Sequence, residues 1–319
     1  MVTTASAPPQ RDGTRASSGW RRALSRWDTR FSPYLLVAPF FLLFGVFGLY
    51  PLVRTAWVSL FDWSLLGEHT WVGLDNYGRL LGDPYFWNAV VNTLGMFLLA
   101  TVPQLLIALG LASVLNRRLR GRTFFRLGVL VPNVTSVAAV SIIFTLIFAR
   151  DFGLVNWLLE KVGVEAIDWH ATRLSSWTAI SVMVDWRWTG YNALILLAAL
   201  QAVPRDLYEA AAIDGASAWR QFWSITIPML RPTLLFVVIV STIGGVQLFA
   251  EPLLFNSGAG ALAGGTSRQF QTIAMYLVER AFPGQEFGYA AAIAWVLFLL
   301  IAVVSVINVW LISRIRSAE

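Results

Sequence analysis

The chain has 319 residues, 57% of them hydrophobic and only 13% charged, with a mean hydropathy of +0.63 and a formal net charge of +6. That balance argues against soluble domains and for a polytopic membrane protein, and 15 Trp fit the aromatic belts at lipid–water boundaries. The absence of Cys excludes disulfides, thiolate catalysis and Cys-based metal sites, and the two His, His69 and His170, lie too far apart in sequence to suggest a metal site.

Residues 1–32 read as a basic cytoplasmic tail rich in Pro, Ser, Thr and Arg. Within it Trp20, Leu24, Trp27 and Phe31 recur at helical spacing, with Arg21, Arg22 and Arg26 off the stripe. This pattern fits either a short helix lying on the inner leaflet or an unstructured tether. A span needs about 20 apolar residues, and six segments qualify: Tyr34–Leu60, Ala89–Leu115, Leu127–Phe148, Trp177–Leu200, Pro232–Phe255 and Tyr289–Ile312. The first is too long for a signal-peptide core and lacks a small-residue cleavage site, so it reads as retained. The expected fold is therefore all-α, with six transmembrane helices. Residues 33–87 hold the first helix and an external loop, 88–312 the main membrane domain, and 313–319 a cytoplasmic tail.

Basic residues set the expected orientation. Sixteen Arg fall in the N-terminal tail, the second and fourth connections and the C-terminus, against six Arg or Lys in the first, third and fifth connections. The positive-inside rule then places both termini and the segment 201–231 in the cytoplasm. The charge of +6 is accounted for by this bias, and no nucleic-acid partner is expected.

Segment 203–230 reads as two short helices around a tight turn. Pro204 suits a first helical position, the run through Ile213 carries Ala210, Ala211 and Ala212, and Asp214-Gly215 signals a turn in which Gly215 ends the helix in the left-handed conformation. Ser217 is the expected N-cap of a second helix that Pro228 should stop. Small side chains permit close approach by a partner, Glu209 and Asp214 offer it carboxylates, and Phe222 and Trp223 are expected to anchor the second helix against the bundle. On spacing alone, an ordinary surface hairpin between two spans fits as well.

Polar and aromatic side chains at mid-membrane depth mark a solute path, because an unpartnered polar group there is costly. Asp185, Trp186, Arg187, Trp188, Tyr191 and Asn192 cluster in the fourth span, Gln247 and Glu251 lie in the fifth, and Asn133, Thr135, Ser136 and Ser141 in the third. Ser and Thr also serve helix packing, and Asp185 and Arg187 fit structural pairing equally.

The block Leu200-Gln201-Ala202-Val203-Pro204-Arg205-Asp206-Leu207-Tyr208-Glu209-Ala210-Ala211, followed by Asp214-Gly215-Ala216, Pro228 and Pro232, resembles the EAA loop of ABC importer permeases, in particular their carbohydrate-uptake branch. Further echoes are Val72-Gly73-Leu74-Asp75-Asn76-Tyr77, Phe152-Gly153-Leu154-Val155-Asn156 and Phe287-Gly288-Tyr289-Ala290, so the likeness runs over about residues 33 to 312. The resemblance implies a type I ABC importer permease fold in a prokaryotic cell membrane. It implies a role as one half of a sugar pore, with no cofactor of its own. The partners it implies are a second, similar permease (a heterodimer), two cytoplasmic ATPase subunits, an extracytoplasmic solute-binding protein and an oligosaccharide or disaccharide. It assigns ATPase coupling to Glu209, Ala210, Ala211, Asp214, Gly215, Ala216, Phe222 and Pro228. Tyr191 and Gln247 match sugar-contacting regions of the maltose permease, whereas bulky Trp188 departs from a small residue there, and Gly264-Gly265-Thr266 departs from the usual Gly-Gly-Pro. The sole Lys, Lys161, completes no phosphate-binding loop, so ATP hydrolysis is expected on another chain. An ion-coupled secondary sugar transporter is the rival reading, resting on Asp185, Arg187 and Glu251 as intramembrane ionisable groups.

Overall fold

In the computed structural model residues 32–316 are described, apart from 65, 66, 68, 118, 119, 257 and 259. The basic tail with its aromatic stripe lies outside the described residues, as do residues 317–319. The chain divides after Thr55 into two units. The first is the greater part of helix α1 (Ser32–Val58), which has a mean hydropathy of 2.2 over its most apolar stretch and a π turn at Gly45–Leu49. A helix this long and this apolar suits lipid.

The second unit opens with a ribbon of two antiparallel strands, β1 (Phe61–Asp62) and β2 (Thr70–Trp71), in which Phe61 faces Trp71. This departs from the all-α expectation: two-residue strands are too short to leave a period-2 signature in the sequence. The rest is helical: α2 (Asp75–Leu81), α3 (Pro84–Leu115), α4 (Arg122–Val134), α5 (Val137–Ile147), α6 (Leu154–Lys161), α7 (Arg173–Ala202), α8 (Arg205–Ile213), α9 (Ala218–Val246), α10 (Ala250–Phe255), α11 (Ile273–Ala281) and α12 (Phe287–Arg316). Asp83 caps α3 by accepting from the Tyr85 N–H at 2.9 Å, with Pro84 at the first helical position, where its missing N–H costs nothing. Thr172 and Ser175 cap the start of α7 reciprocally.

The α3–α7 pair is the spine of this unit. Ala108 and Ala112 of α3 pack with Ala193, Leu196 and Leu200 of α7 and with Leu230 and Val237 of α9. Small residues let the backbones approach where no hydrophobic effect drives helices together in lipid. Gly190 shows the limit of that approach, since a Cβ there would sit 1.8 Å from the Val129 carbonyl oxygen of α4.

Among the described residues four helices, α1, α3, α9 and α12, are long and apolar enough to cross a membrane, and a fifth span results if α4 and α5 count as one bent crossing. The expected third span is thus not a straight rod. Its two halves meet at 91°, because Thr135 and Ser136 are extended three and four residues after Pro132, and both the N–H and the hydroxyl of Thr135 donate to the Val131 carbonyl, at 3.2 and 2.9 Å. Nor is the expected fifth span continuous: α9 ends at Val246, and Gln247–Phe249 turn the chain into the separate α10. The expected fourth span is a 30-residue helix, α7, whose polar residues, Asp185, Arg187 and Asn192 among them, leave it outside the apolar set.

A polar cap closes one end of the second unit. Asp83 accepts from the hydroxyls of Tyr276 and Tyr289 (2.6 Å for Tyr289), and Arg280 Nε donates to the Tyr276 oxygen at 2.9 Å. Arg268 grips Glu279 through two contacts of 2.6 and 2.8 Å, while Asn88 and Asn92 of α3 donate to the Arg268 carbonyl at 2.8 Å. Burial raises the Asp83 carboxyl, but the tyrosine hydroxyls outweigh it and hold that group below the ordinary carboxylate value. Burial likewise raises Glu279, and the bonds from Arg268 and Gln271 outweigh it. Tyr276 is pushed up to about 12 by its own burial and by the carboxylate it serves.

Candidate functional site

Two places carry the residues singled out by sequence. The first is the hairpin of α8 and the start of α9. Pro204 sits one residue before the helix, as its N-cap, and α8 begins at Arg205. The helix closes in a left-handed turn: Gly215 has φ +75°, its N–H reaches the Ala212 carbonyl at 3.1 Å, and the Ala216 N–H reaches Ala211 at 2.8 Å. Ser217 then caps the next helix by accepting from the Arg220 N–H at 3.3 Å. The backbone polar groups of the turn are therefore satisfied internally.

Its side chains are not. Glu209, Ala210, Asp214 and Gly215 are exposed, and Ile213 and Trp219 are 87% and 71% exposed. Ala211, Asp214 and Ala216 line a shallow groove of about 250 Å³ with Arg220 and Gln221. A side-chain bond, Tyr208 Oη with Thr226 Oγ1 at 2.9 Å, ties α8 to α9. Two expectations need correcting. Pro228 does not stop the second helix: Phe222–Thr226 form a π turn, and Pro228 follows in the first turn of a helix that runs on to Val246. At that position the proline's missing N–H is absorbed by the wide turn before it. Trp223 is half-exposed and packs against Trp219 and Phe222 instead of entering the bundle, whereas Phe222 is half-buried.

The second place is a cavity of about 480 Å³ between α3, α7 and α9. It brings together Trp188, Tyr191 and Gln247, with the Trp188 and Tyr191 rings edge to face at 6.0 Å. Arg187, Asp185, Asn133 and Ser136 do not line it. Arg187 is instead ion-paired with Glu251, both nearly buried at 11% and 8% side-chain exposure. Asp185 keeps one buried oxygen without a hydrogen-bond partner, and Asn133 and Ser136 lie beside the break between α4 and α5. Among the described residues Glu251 is the one carboxylate on the cavity wall, and Arg187 neutralises it.

The wall also holds Gln104, Thr101 and Ser241, which the sequence reading passed over. Asn192 Nδ2 donates to Gln104 Oε1 and to Ser241 Oγ, each at 3.1 Å, and so joins all three helices around the cavity. A glutamine in the middle of the apolar run 89–115 was the available signal, by the same cost argument that flagged Gln247. Among the described residues no cluster of His, Asp and Glu could hold a metal ion.

Residues 104–317 match the family described as binding-protein-dependent transport system inner membrane component. The lactose transport system permease protein LacF of Rhizobium radiobacter is 40% identical over 276 residues, covering 85% of this chain and 91% of LacF. The arabinooligosaccharides transport system permease protein AraP of Halalkalibacterium halodurans is 37% identical over 289 residues, covering 90% and 89%. In structure the chain is similar to a bacterial ABC transporter that imports the acidic polysaccharide alginate, with TM-score 0.76 at 19% identity, covering 92% of this chain and 99% of that one. The family is one of transport components and not of enzymes, and its place is the membrane. The chain belongs to the binding-protein-dependent transport system inner membrane components, as a multi-pass permease subunit.

Proposed function

We propose that the chain forms half of the pore of an ATP-driven importer for a neutral oligosaccharide or disaccharide, with the hairpin of α8 and α9 as its contact to a separate ATPase. The observation that carries the substrate class is the wall of the cavity. Four aromatic side chains, Phe97, Trp188, Tyr191 and Phe249, stand beside amide and hydroxyl groups, and the one carboxylate is cancelled by Arg187. Aromatic faces suit the apolar faces of sugar rings, the polar groups suit hydroxyls, and a wall without net charge favours an uncharged solute. The relatives named for lactose and arabinooligosaccharides agree with that reading, and a structural neighbour is described in complex with a pentasaccharide-bound periplasmic protein.

In this reading α7 and the bent pair α4–α5 complete six crossings, and both termini and residues 201–231 lie in the cytoplasm. A second permease, two ATPase copies and an external binding protein complete the machine. Glu209, Ala210, Ala211, Asp214, Gly215 and Ala216 form the surface offered to the ATPase. Phe222 and Pro228 belong to the joint behind it. Tyr191, Gln247 and Trp188 touch the solute, while Arg187 and Asp185 shape the wall from behind. Asn133 and Ser136 act at the bend.

The test is uptake of labelled sugar into proteoliposomes holding the assembled transporter. Tyr191→Ala with Gln247→Ala is expected to lower ATP-dependent uptake about tenfold, the loss of roughly 1.4 kcal/mol of contact. Association with the ATPase should be unchanged. Lost association would make these residues structural, and uptake that persists without the ATPase would sink the ATP-driven reading.

A further inference from the structure

At the end of α3 away from the polar cap lies a second, larger cleft, of about 810 Å³. It collects helix ends: Ser113 and Asn116 from α3, Arg122 from the first turn of α4, Gln201 from α7 and Arg205 from α8, with Arg117 beside them. Three guanidinium groups line it and no carboxylate does. Among the described residues none of these arginines has an acidic partner within ion-pair distance, whereas the arginines of the polar cap and Arg187 all have one.

A further basic group, Arg126, lies outside the residues that line the cleft. Arg126 is one turn deeper on α4 than Arg122 and shares its face. Its Nε and one Nη are buried without any hydrogen-bond partner. Val129, three residues further on, abuts Gly190 of α7, so this stretch of α4 is packed against the bundle. Burying donors of a charged group unsatisfied costs more than leaving it in water. An acceptor supplied from outside would remove that cost.

We propose that this cleft binds a phosphate-bearing anion through Arg117, Arg122, Arg126 and Arg205. Guanidinium groups match phosphate oxygens through paired N–H donors. Depth in the fold selects the source. The C-terminal ends of α3 and α7 and the first turn of α4 meet at the cleft, which sets it at the level where membrane-spanning helices emerge among lipid headgroups. Basic pockets between helices at that level suit anionic lipid headgroups. The occupant is thus the headgroup of an anionic phospholipid, held where the hairpin joins the bundle. The choice of the cytoplasmic leaflet rests on the orientation proposed above, but the charge chemistry does not.

The experiment uses the assembled transporter in nanodiscs of phosphatidylcholine with and without phosphatidylglycerol. Lipid retained on detergent release is read by native mass spectrometry. Retention of phosphatidylglycerol should weaken about thirtyfold in Arg122→Gln with Arg126→Gln, two basic contacts being removed. It should return in Arg122→Lys with Arg126→Lys, which separates charge from folding. Inorganic phosphate and a hexose phosphate, titrated against the wild type, form the second arm. If they bind in an Arg122-dependent way and the lipid is not retained, the site stands with a soluble phosphate as its occupant. Retention indifferent to both variants, or seen only when the ATPase is absent, overturns the proposal, since the arginines would then face a subunit and not a ligand. ATP-dependent uptake measured in the same preparations keeps the two readings apart: uptake intact without lipid or phosphate binding sinks this site alone.

Discussion

The polar cap and the hairpin, at opposite ends of the α3–α7 spine, solve the same problem in contrary ways. Around Asp83 the side chains hold one another: Arg268 with Glu279, Arg79 with Glu286 at 2.8 Å, and two tyrosines on a single carboxylate. In the hairpin the backbone closes on itself through Gly215 and Ser217, and the side chains are left facing out. The bonds on Asp83 and the Arg268–Glu279 and Arg79–Glu286 pairs all close within one chain. The hairpin is ordered locally yet leaves its apolar tip largely exposed, Ile213 at 87% and Trp219 at 71%, although Trp219 touches Phe222 and Trp223 on its own helix. A region built this way keeps its shape before a partner arrives, so docking need not fund the ordering of its backbone.

Three perturbations bear on that contrast. The largest effect is expected at the hairpin's function. Gly215→Val forces a β-branched residue into φ +75°, a cost of about 1–2 kcal/mol concentrated in the turn. Open space surrounds that position, so yield and membrane insertion should be unchanged while uptake falls tenfold or more. Normal uptake would mean that the turn geometry does not matter to the partner. Next comes the cap, where stability should respond and coupling should not. Glu279→Ala strips Arg268 of its main partner and Gln271 of one acceptor, an expected loss of about 2 kcal/mol in thermal unfolding. ATPase association should be retained, and its loss would show that the two ends are not independent.

The smallest effect is that of acid. Asp83 and Glu279 both have folded values held below the ordinary carboxylate value of about 4. The stability they contribute is therefore present above that value and declines as pH falls through the lower, folded value. Hydrogen exchange in residues 264–286 should quicken only below about pH 4, with the hairpin's exchange unaffected. Faster exchange beginning near neutrality would point to some other group.

The contrast also explains what could be read from sequence. The hairpin is a local object: Pro204, Ala210–Ala212, Gly215 and Ser217 each act within five residues, and their placement needed only the rules of helix ends. Three details escape even there: Pro204 stands before the helix and not at its first position, Trp223 stays half-exposed, and the effect of Pro228 is decided by the π turn before it. The cap was not legible. Tyr289 meets Asp83 across 206 positions of chain, and no short-range pattern encodes that. The cavity was legible in part: aromatic and amide residues in apolar runs marked Trp188, Tyr191 and Gln247. Hydropathy cannot see direction, so the bend after Pro132 and the break at Gln247 had to come from tertiary structure, and with them the exclusion of Asn133 and Ser136 from the wall.

The π turn at Phe222–Thr226 has one more consequence. The Ile227 N–H bonds to the Phe222 carbonyl, five residues back, so one residue more than an α-helix would use is accommodated there. Each residue advances an α-helix by about 100°, so this supernumerary position fixes which azimuth of α9 looks inward all the way to Ser241. Excising one residue from Phe222–Thr226 would leave every downstream side chain chemically intact and aim it at the wrong neighbour.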